Sequence, residues 1–153
     1  MKKSNASLSF KRKREGKTHY KKRLKILLSN KFRLVVRKSL NGIKASIVKY
    51  DPKGDKVIFT VDSKTLGKFG WKGNTGNLPS AYLTGMIAGK KAVQSGVKEA
   101  ILDIGLNKST KGSRLYATLA GALDAGMKIP SNTEVLPPKE RISGTHIAKY
   151  ALS

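Results

Sequence analysis

Apolar positions along this chain recur with two different periods, and the switch between them lays out the elements. Residues 32–38 and 43–50 are runs rich in β-formers joined by Asn41-Gly42, and 57–61 follows a second turn, Asp51-Pro-Lys-Gly-Asp55. Such runs, closed by those turn residues, predict three antiparallel strands. Pro79 then stands at the first turn of a helix whose Ala81, Gly85, Ala88, Gly89 and Ala92 form a small-residue ridge up to a stop at Gly96. A ridge that slim is expected to lie close against a sheet. Ala100 to Ile104 is a short apolar strand, and Leu115, Leu119, Ala122 and Leu123, at i, i+4, i+7 and i+8, predict a helix with Ser113 or a neighbour as its cap. Met127-Lys-Ile129 reads as a brief strand stopped by Pro130, and 142–152 as a short C-terminal helix.

Upstream of the strands, Thr18 is a plausible cap. Tyr20, Leu24, Leu27 and Leu28 follow the helix period while Lys21, Lys22 and Lys25 fill the remaining surface. This predicts an amphipathic helix, leucines toward the core and cations outward. Residues 63–78, with Gly67, Gly70, Gly73 and Gly76, read as a loop. The order helix, three strands, α, β, α, β predicts an α/β fold, a mixed sheet whose helix crossovers join parallel neighbours. At 153 residues the chain is long enough for one domain with a real core. Its expected division is a basic arm over 1–17, disordered when free, and a single α/β domain over 18–153 with a C-terminal extension.

Charge turns this scaffold into a binding protein. Lys and Arg number 32 against 9 Asp and Glu, a net charge of +23, far above the roughly 2 to 8 that solubility alone asks for. Residues 1–50 carry 17 of those cations and a single acid, Glu15. A polyanion partner is implied, and nucleic acid fits the stripe better than a membrane, because no strongly hydrophobic amphipathic segment accompanies the cations. The chain has no cysteine, and no apolar run approaches the roughly 18 residues of a membrane span. The expectation is a soluble, unprocessed chain without disulfide or thiolate metal site.

The best candidate for phosphate lies between the Ala100 strand and the following helix, in Gly105-Leu-Asn-Lys-Ser-Thr-Lys-Gly-Ser-Arg114. Free N–H groups at a helix start attract anions, and Lys108 and Lys111 add charge; a plain polar surface turn is the alternative. It is not a nucleotide-binding P-loop, since Gly112 is followed by Ser113 and Arg114 rather than Lys-Ser/Thr. Arg33 and Arg37 share a parity and therefore a face of the first strand, which would present cations from one side of the sheet. Trp71 either stacks on a base or plugs a core edge. His19 and His146 lie far apart with no zinc or triad spacing, and no carboxylate cluster is evident. Three readings remain: a structural RNA-binding protein, a nucleic-acid-processing enzyme and a nonspecific DNA-compacting protein.

Four stretches carry a family resemblance: Lys11-Arg-Lys-Arg-Glu-Gly-Lys-Thr-His-Tyr20 with Lys22-Arg-Leu24, Arg33-Leu-Val-Val-Arg-Lys38, Gly70-Trp-Lys-Gly73, and Leu102-Asp-Ile-Gly-Leu-Asn-Lys-Ser-Thr-Lys-Gly-Ser-Arg114. Together they resemble the universal large-subunit ribosomal protein numbered eighteen in its archaeal form. That resemblance implies a ribonuclease-H-like fold without nuclease carboxylates, no cofactor or metal, and a cytoplasmic place in the large ribosomal subunit. It implies 5S ribosomal RNA, large-subunit ribosomal RNA and neighbouring large-subunit proteins as partners, with the 5S RNA attached at the central protuberance. Carried over by position, it puts RNA contacts on Lys11, Arg12, Lys13, Arg14, Lys17, Tyr20 and Arg23, on Arg33, Arg37 and Lys38, and on Lys108, Ser109, Thr110, Lys111, Gly112, Ser113 and Arg114.

Overall fold

The computed structural model describes residues 8–152; the first seven residues of the basic arm lie outside the described residues. Three strands, β1 (Phe32–Lys38), β2 (Ile43–Lys49) and β3 (Lys56–Asp62), form an antiparallel meander, and β4 (Ala100–Asp103) adds parallel to β1. The sheet order is β3-β2-β1-β4. This is the expected mixed α/β arrangement. The fifth strand expected over 127–129 is reduced to a single parallel bridge, Glu99 with Lys128, because Pro130 lacks the N–H that would extend a ladder.

Helices α1 (Lys11–Arg14) and α2 (Tyr20–Leu27) precede the sheet, and α3 (Leu78–Gln94), α4 (Arg114–Asp124), α5 (Lys139–Ser143) and α6 (Thr145–Leu152) follow. Asn77 caps α3, its Oδ1 accepting from Ser80 N at 2.9 Å, with Pro79 in the first turn. The small-residue ridge of α3 serves a neighbouring helix more than the sheet. A Cβ on Gly85 would overlap the Thr118 carbonyl, and one on Gly121 the Tyr82 carbonyl, so the backbones of α3 and α4 touch where no side chain fits. Leu34, Val36, Ala45 and Ile47 of the sheet pack with Ala88, Leu115 and Leu119 of this helix pair, all fully buried.

Residues 63–69, expected as loop, form a 3₁₀ segment. The Asp62 side chain accepts from Lys64 N at 3.0 Å to start it, and Leu66 is buried.

Candidate nucleic-acid interface

β1 alternates between two environments. Leu34 and Val36 enter the apolar core, while Arg33, Val35 and Arg37 face the other way, as does Asp103, paired in register with Val35. Arg33 is only 2% exposed. Its Nη2 lies 2.6 Å from Asp55 Oδ2, and its Nη1 donates to Asp103 Oδ2 at 3.2 Å. Asp55 also accepts two hydrogen bonds from Arg23 at 2.9 and 3.0 Å. Asp103 likewise holds Arg37, whose Nη1 donates to the Asp103 carbonyl at 2.8 Å and whose Nη2 reaches Oδ1 at 3.4 Å. The chain Arg23, Asp55, Arg33, Asp103, Arg37 alternates in sign, as burial of guanidinium demands. Burial raises the Asp55 carboxyl, but hydrogen bonds from Arg33 and Arg23 outweigh it and leave it below the usual carboxylate range.

Arg33 is therefore not a surface cation. Its shared parity with Arg37 is real, yet Asp55 and Asp103 close over it, and only Arg37, with its side chain 47% exposed, reaches solvent. The docking of α2 departs from expectation for the same reason. Leu24 and Leu28 stand outward, 61% and 75% exposed, while Arg23 turns in to Asp55. The stripe beside the sheet is His19, Lys22, Arg23 and Ile26, again i, i+3, i+4, i+7. The cap is His19 rather than Thr18: its Nδ1 accepts from Lys22 N at 3.2 Å. Thr18 Oγ1 instead accepts from Arg12 Nε at 3.0 Å, and the Arg12 carbonyl takes the N–H groups of Lys17 and Thr18.

These contacts bring arm, helix and strand to one cleft of about 240 Å³, where Arg12, Lys17, Lys22, Arg23 and Arg37 meet the segment 103–106. Four of the predicted site residues thus converge. Lys22 and His19 join them, and the helical spacing of that second stripe was a usable signal. Lys11, Lys13 and Arg14 stay exposed on α1, and Lys38 on the end of β1. Tyr20 packs against Phe10, ring centroids 5.1 Å apart.

The central loop is a separate lobe of charge. Lys108, Thr110 and Lys111 are exposed, Lys111 lying 3.7 Å from Glu134. The Ser109 hydroxyl bonds the Tyr116 hydroxyl on the first turn of α4. Gly112 has φ +66°, and its N–H donates to Val135 O at 2.9 Å. Ser113 holds the cap position of α4, but its hydroxyl makes no cap bond, which leaves the first-turn N–H groups without a side-chain partner. Arg114 reaches back to the Gly76 carbonyl at 2.7 Å, tying the loop to the glycine-rich segment.

Most of the acids are engaged by the chain's own cations. Among the described residues, Glu15, Asp51, Asp55, Asp62, Glu99, Asp103 and Glu134 each sit in an ion pair. No three His, Asp or Glu side chains among those residues are grouped to hold a metal ion. What predominates outward is cation, and it defines an α/β scaffold made to face a polyanion. Residues 4–98 and 93–132 match the family described as ribosomal large subunit proteins 60S L5 and 50S L18, and the chain belongs to that family. It is 54% identical over 144 residues to the large ribosomal subunit protein uL18 of Methanococcus maripaludis, a match spanning 94% of this chain and 75% of the relative. Membership makes it a structural constituent of the large ribosomal subunit rather than an enzyme.

Proposed function

We propose that the chain binds 5S ribosomal RNA through the arm, the α2 cleft and the central loop, and so helps attach that RNA to large-subunit ribosomal RNA at the central protuberance, beside neighbouring large-subunit proteins. The observation that carries this reading is the convergence of Arg12, Lys17, Lys22, Arg23 and Arg37 on one cleft. Cations gathered at that spacing suit the closely spaced phosphates of folded RNA. Arg33 takes an internal part: through Asp55 and Asp103 it holds Arg23 and Arg37 in place. A rigid guanidinium loses less entropy on meeting phosphate than a free one.

Titration of the parent chain with 5S ribosomal RNA, and with duplex DNA of equal length at the same salt, tests the proposal. Tighter binding to the RNA by at least about tenfold is expected, since recognition rests on folded RNA shape and 2′-hydroxyls. Equal affinity for both would favour the nonspecific DNA-compacting reading and sink this one.

A further inference from the structure

Phe10 is one of several exposed aromatic residues, and its ring packs on a second ring. It stands at the cap of α1, its carbonyl accepting from Lys13 N and Arg14 N, yet its side chain lies on the surface, the residue 71% exposed. Its ring leans on Tyr20 at the start of α2, centroids 5.1 Å apart and planes at 48°. With Leu106 from the beginning of the central loop, itself 52% exposed, the two rings floor an open cavity of about 520 Å³. Lys13 and Lys21 help to line it, and no acid does so among the described residues. The nearest acid in sequence, Glu15, is already paired with Lys17 at 2.9 Å.

A contact whose only purpose was to pin α1 to α2 would hide Phe10, and this one leaves it open. An apolar floor ringed by cations suits one kind of occupant well. A neutral lipid or an apolar peptide would leave the lysines without counter-ions, a bare phosphate would leave the rings wet, and an anionic lipid, which would meet both needs, is not what a protein of the large ribosomal subunit faces. An unpaired nucleobase answers both needs, its π-face on the ring and its own phosphates on the lysines. We infer that Phe10, backed by Tyr20 and Leu106, is a stacking platform for one unpaired RNA base, gripped at its backbone by Lys13 and Lys21. This rests on the proposed RNA-binding role and adds to it a contact that reads a base rather than charge.

The test uses the full chain, Phe10→Leu and Phe10→Tyr. Leucine keeps apolar bulk without the π-face, and tyrosine restores the ring; at so exposed a position neither should unfold the protein, which circular dichroism checks. Each is titrated at moderately high salt with a short uridine oligonucleotide and with one of equal length bearing abasic sugars, which keeps the phosphates and removes the bases. The parent should prefer the base-bearing strand by about tenfold, Phe10→Leu should lose that preference, and Phe10→Tyr should keep it. If the parent does not distinguish the strands, or if Phe10→Leu matches the parent on both, the platform does not exist. If Phe10→Leu weakens both strands equally, Phe10 acts by pinning α1 and the inference is overturned. Titration with 5S ribosomal RNA runs beside these. A parent that prefers bases yet ignores 5S RNA would sink the functional reading and leave the platform standing.

Discussion

The two faces of the sheet are built on opposite rules. Toward α3 and α4 the face is apolar and so tightly closed that Gly85 and Gly121 are needed where the helix backbones cross. On the far side, β1 and β4 contribute Arg33, Arg37 and Asp103, and α2 lies there by way of Arg23 and Asp55. One face is held by shape, the other by charge. The first gains from every buried methylene; the second trades desolvation against ion pairing and nets little. The ionic face therefore contributes placement of Arg23 and Arg37 more than stability. Removing one partner should hurt far more than removing the central cation.

The largest effect is expected at Asp103. Asp103→Ala leaves the Arg33 guanidinium, 2% exposed, with only Asp55 as counter-ion, and should lower stability by about 3 kcal/mol. Arg33→Met, by contrast, fills the same space and leaves each aspartate one arginine, so its cost should stay under about 2 kcal/mol. Urea unfolding of both variants measures the gap, and equal losses would mean that Arg33 is a stabilising hub rather than an aligning one. Acid sharpens the same point. Because Asp55 is held below its ordinary value, the unfolded chain takes up its proton first as pH falls. Stability from this carboxylate is complete above about pH 4 and is lost on descending through its lower folded value. The part of acid destabilisation due to this group should vanish in Asp55→Asn.

At the apolar face the expected effect is somewhat smaller and of another kind. Gly85→Ala places a methyl against the Thr118 carbonyl, and the helices must part to admit it. A loss of about 2 kcal/mol follows from overpacking. It should be independent of salt, whereas the loss in the Asp103 variant should respond to it. Thermal melts across ionic strength separate the two mechanisms.

Legibility in the sequence follows the same division. The meander and the two long helices could be read from alternation, the Asn41-Gly42 turn and the spacing of Leu115 and Leu119, because neighbours along the chain determine them. The side of α2 that docks could not, since it depends on Asp55, 32 residues from Arg23. The burial of Arg33 depends on Asp103, 70 residues away. An arginine at an inward position looks the same in sequence whether its counter-ion is an aspartate or a phosphate. The excess of exposed cations was legible for the opposite reason: it follows from the count of 32 Lys and Arg against 9 acids, which no arrangement of the fold can pair off.

The arm extends the ionic rule to a segment with no core beneath it. Helix α1 is a single turn of four cations without a side-chain cap, too short and too strongly charged to persist by itself. Amides of Lys11 to Arg14 should exchange rapidly in the free protein and slow on adding 5S RNA. Residues 1–14 hold six of the 32 cations, so their deletion should reduce the slope of log affinity against log salt by about 4. An unchanged slope would show that the arm touches no phosphate. Strong protection without RNA would show that it folds on the domain.

The smallest effects belong to the central loop, where shape and charge can be told apart. Gly112 has φ +66°, which a β-branched residue resists, yet among the described residues beyond its two chain neighbours no atom lies within 4 Å of the position its Cβ would take. Gly112→Val therefore strains the turn into α4 without colliding with the fold, and circular dichroism and melting should show a folded protein. In such a variant, weaker binding to 5S RNA reports on the loop backbone, or on RNA approaching it, and should persist at high salt. Lys111→Gln removes one exposed cation whose nearest acid, Glu134, is 3.7 Å away. It should cost a few-fold in affinity at low salt, reduce the salt slope by about 1 and become hard to detect at high salt. Titrating both variants at two salt concentrations yields four affinities in which the two mechanisms move differently. If folded Gly112→Val binds like the parent at both, the uncapped start of α4 does not hold phosphate and the loop contributes only scattered charge. The ionic rule would then end at the α2 cleft, and Arg23 and Arg37, aligned from within, would be the principal grip on RNA.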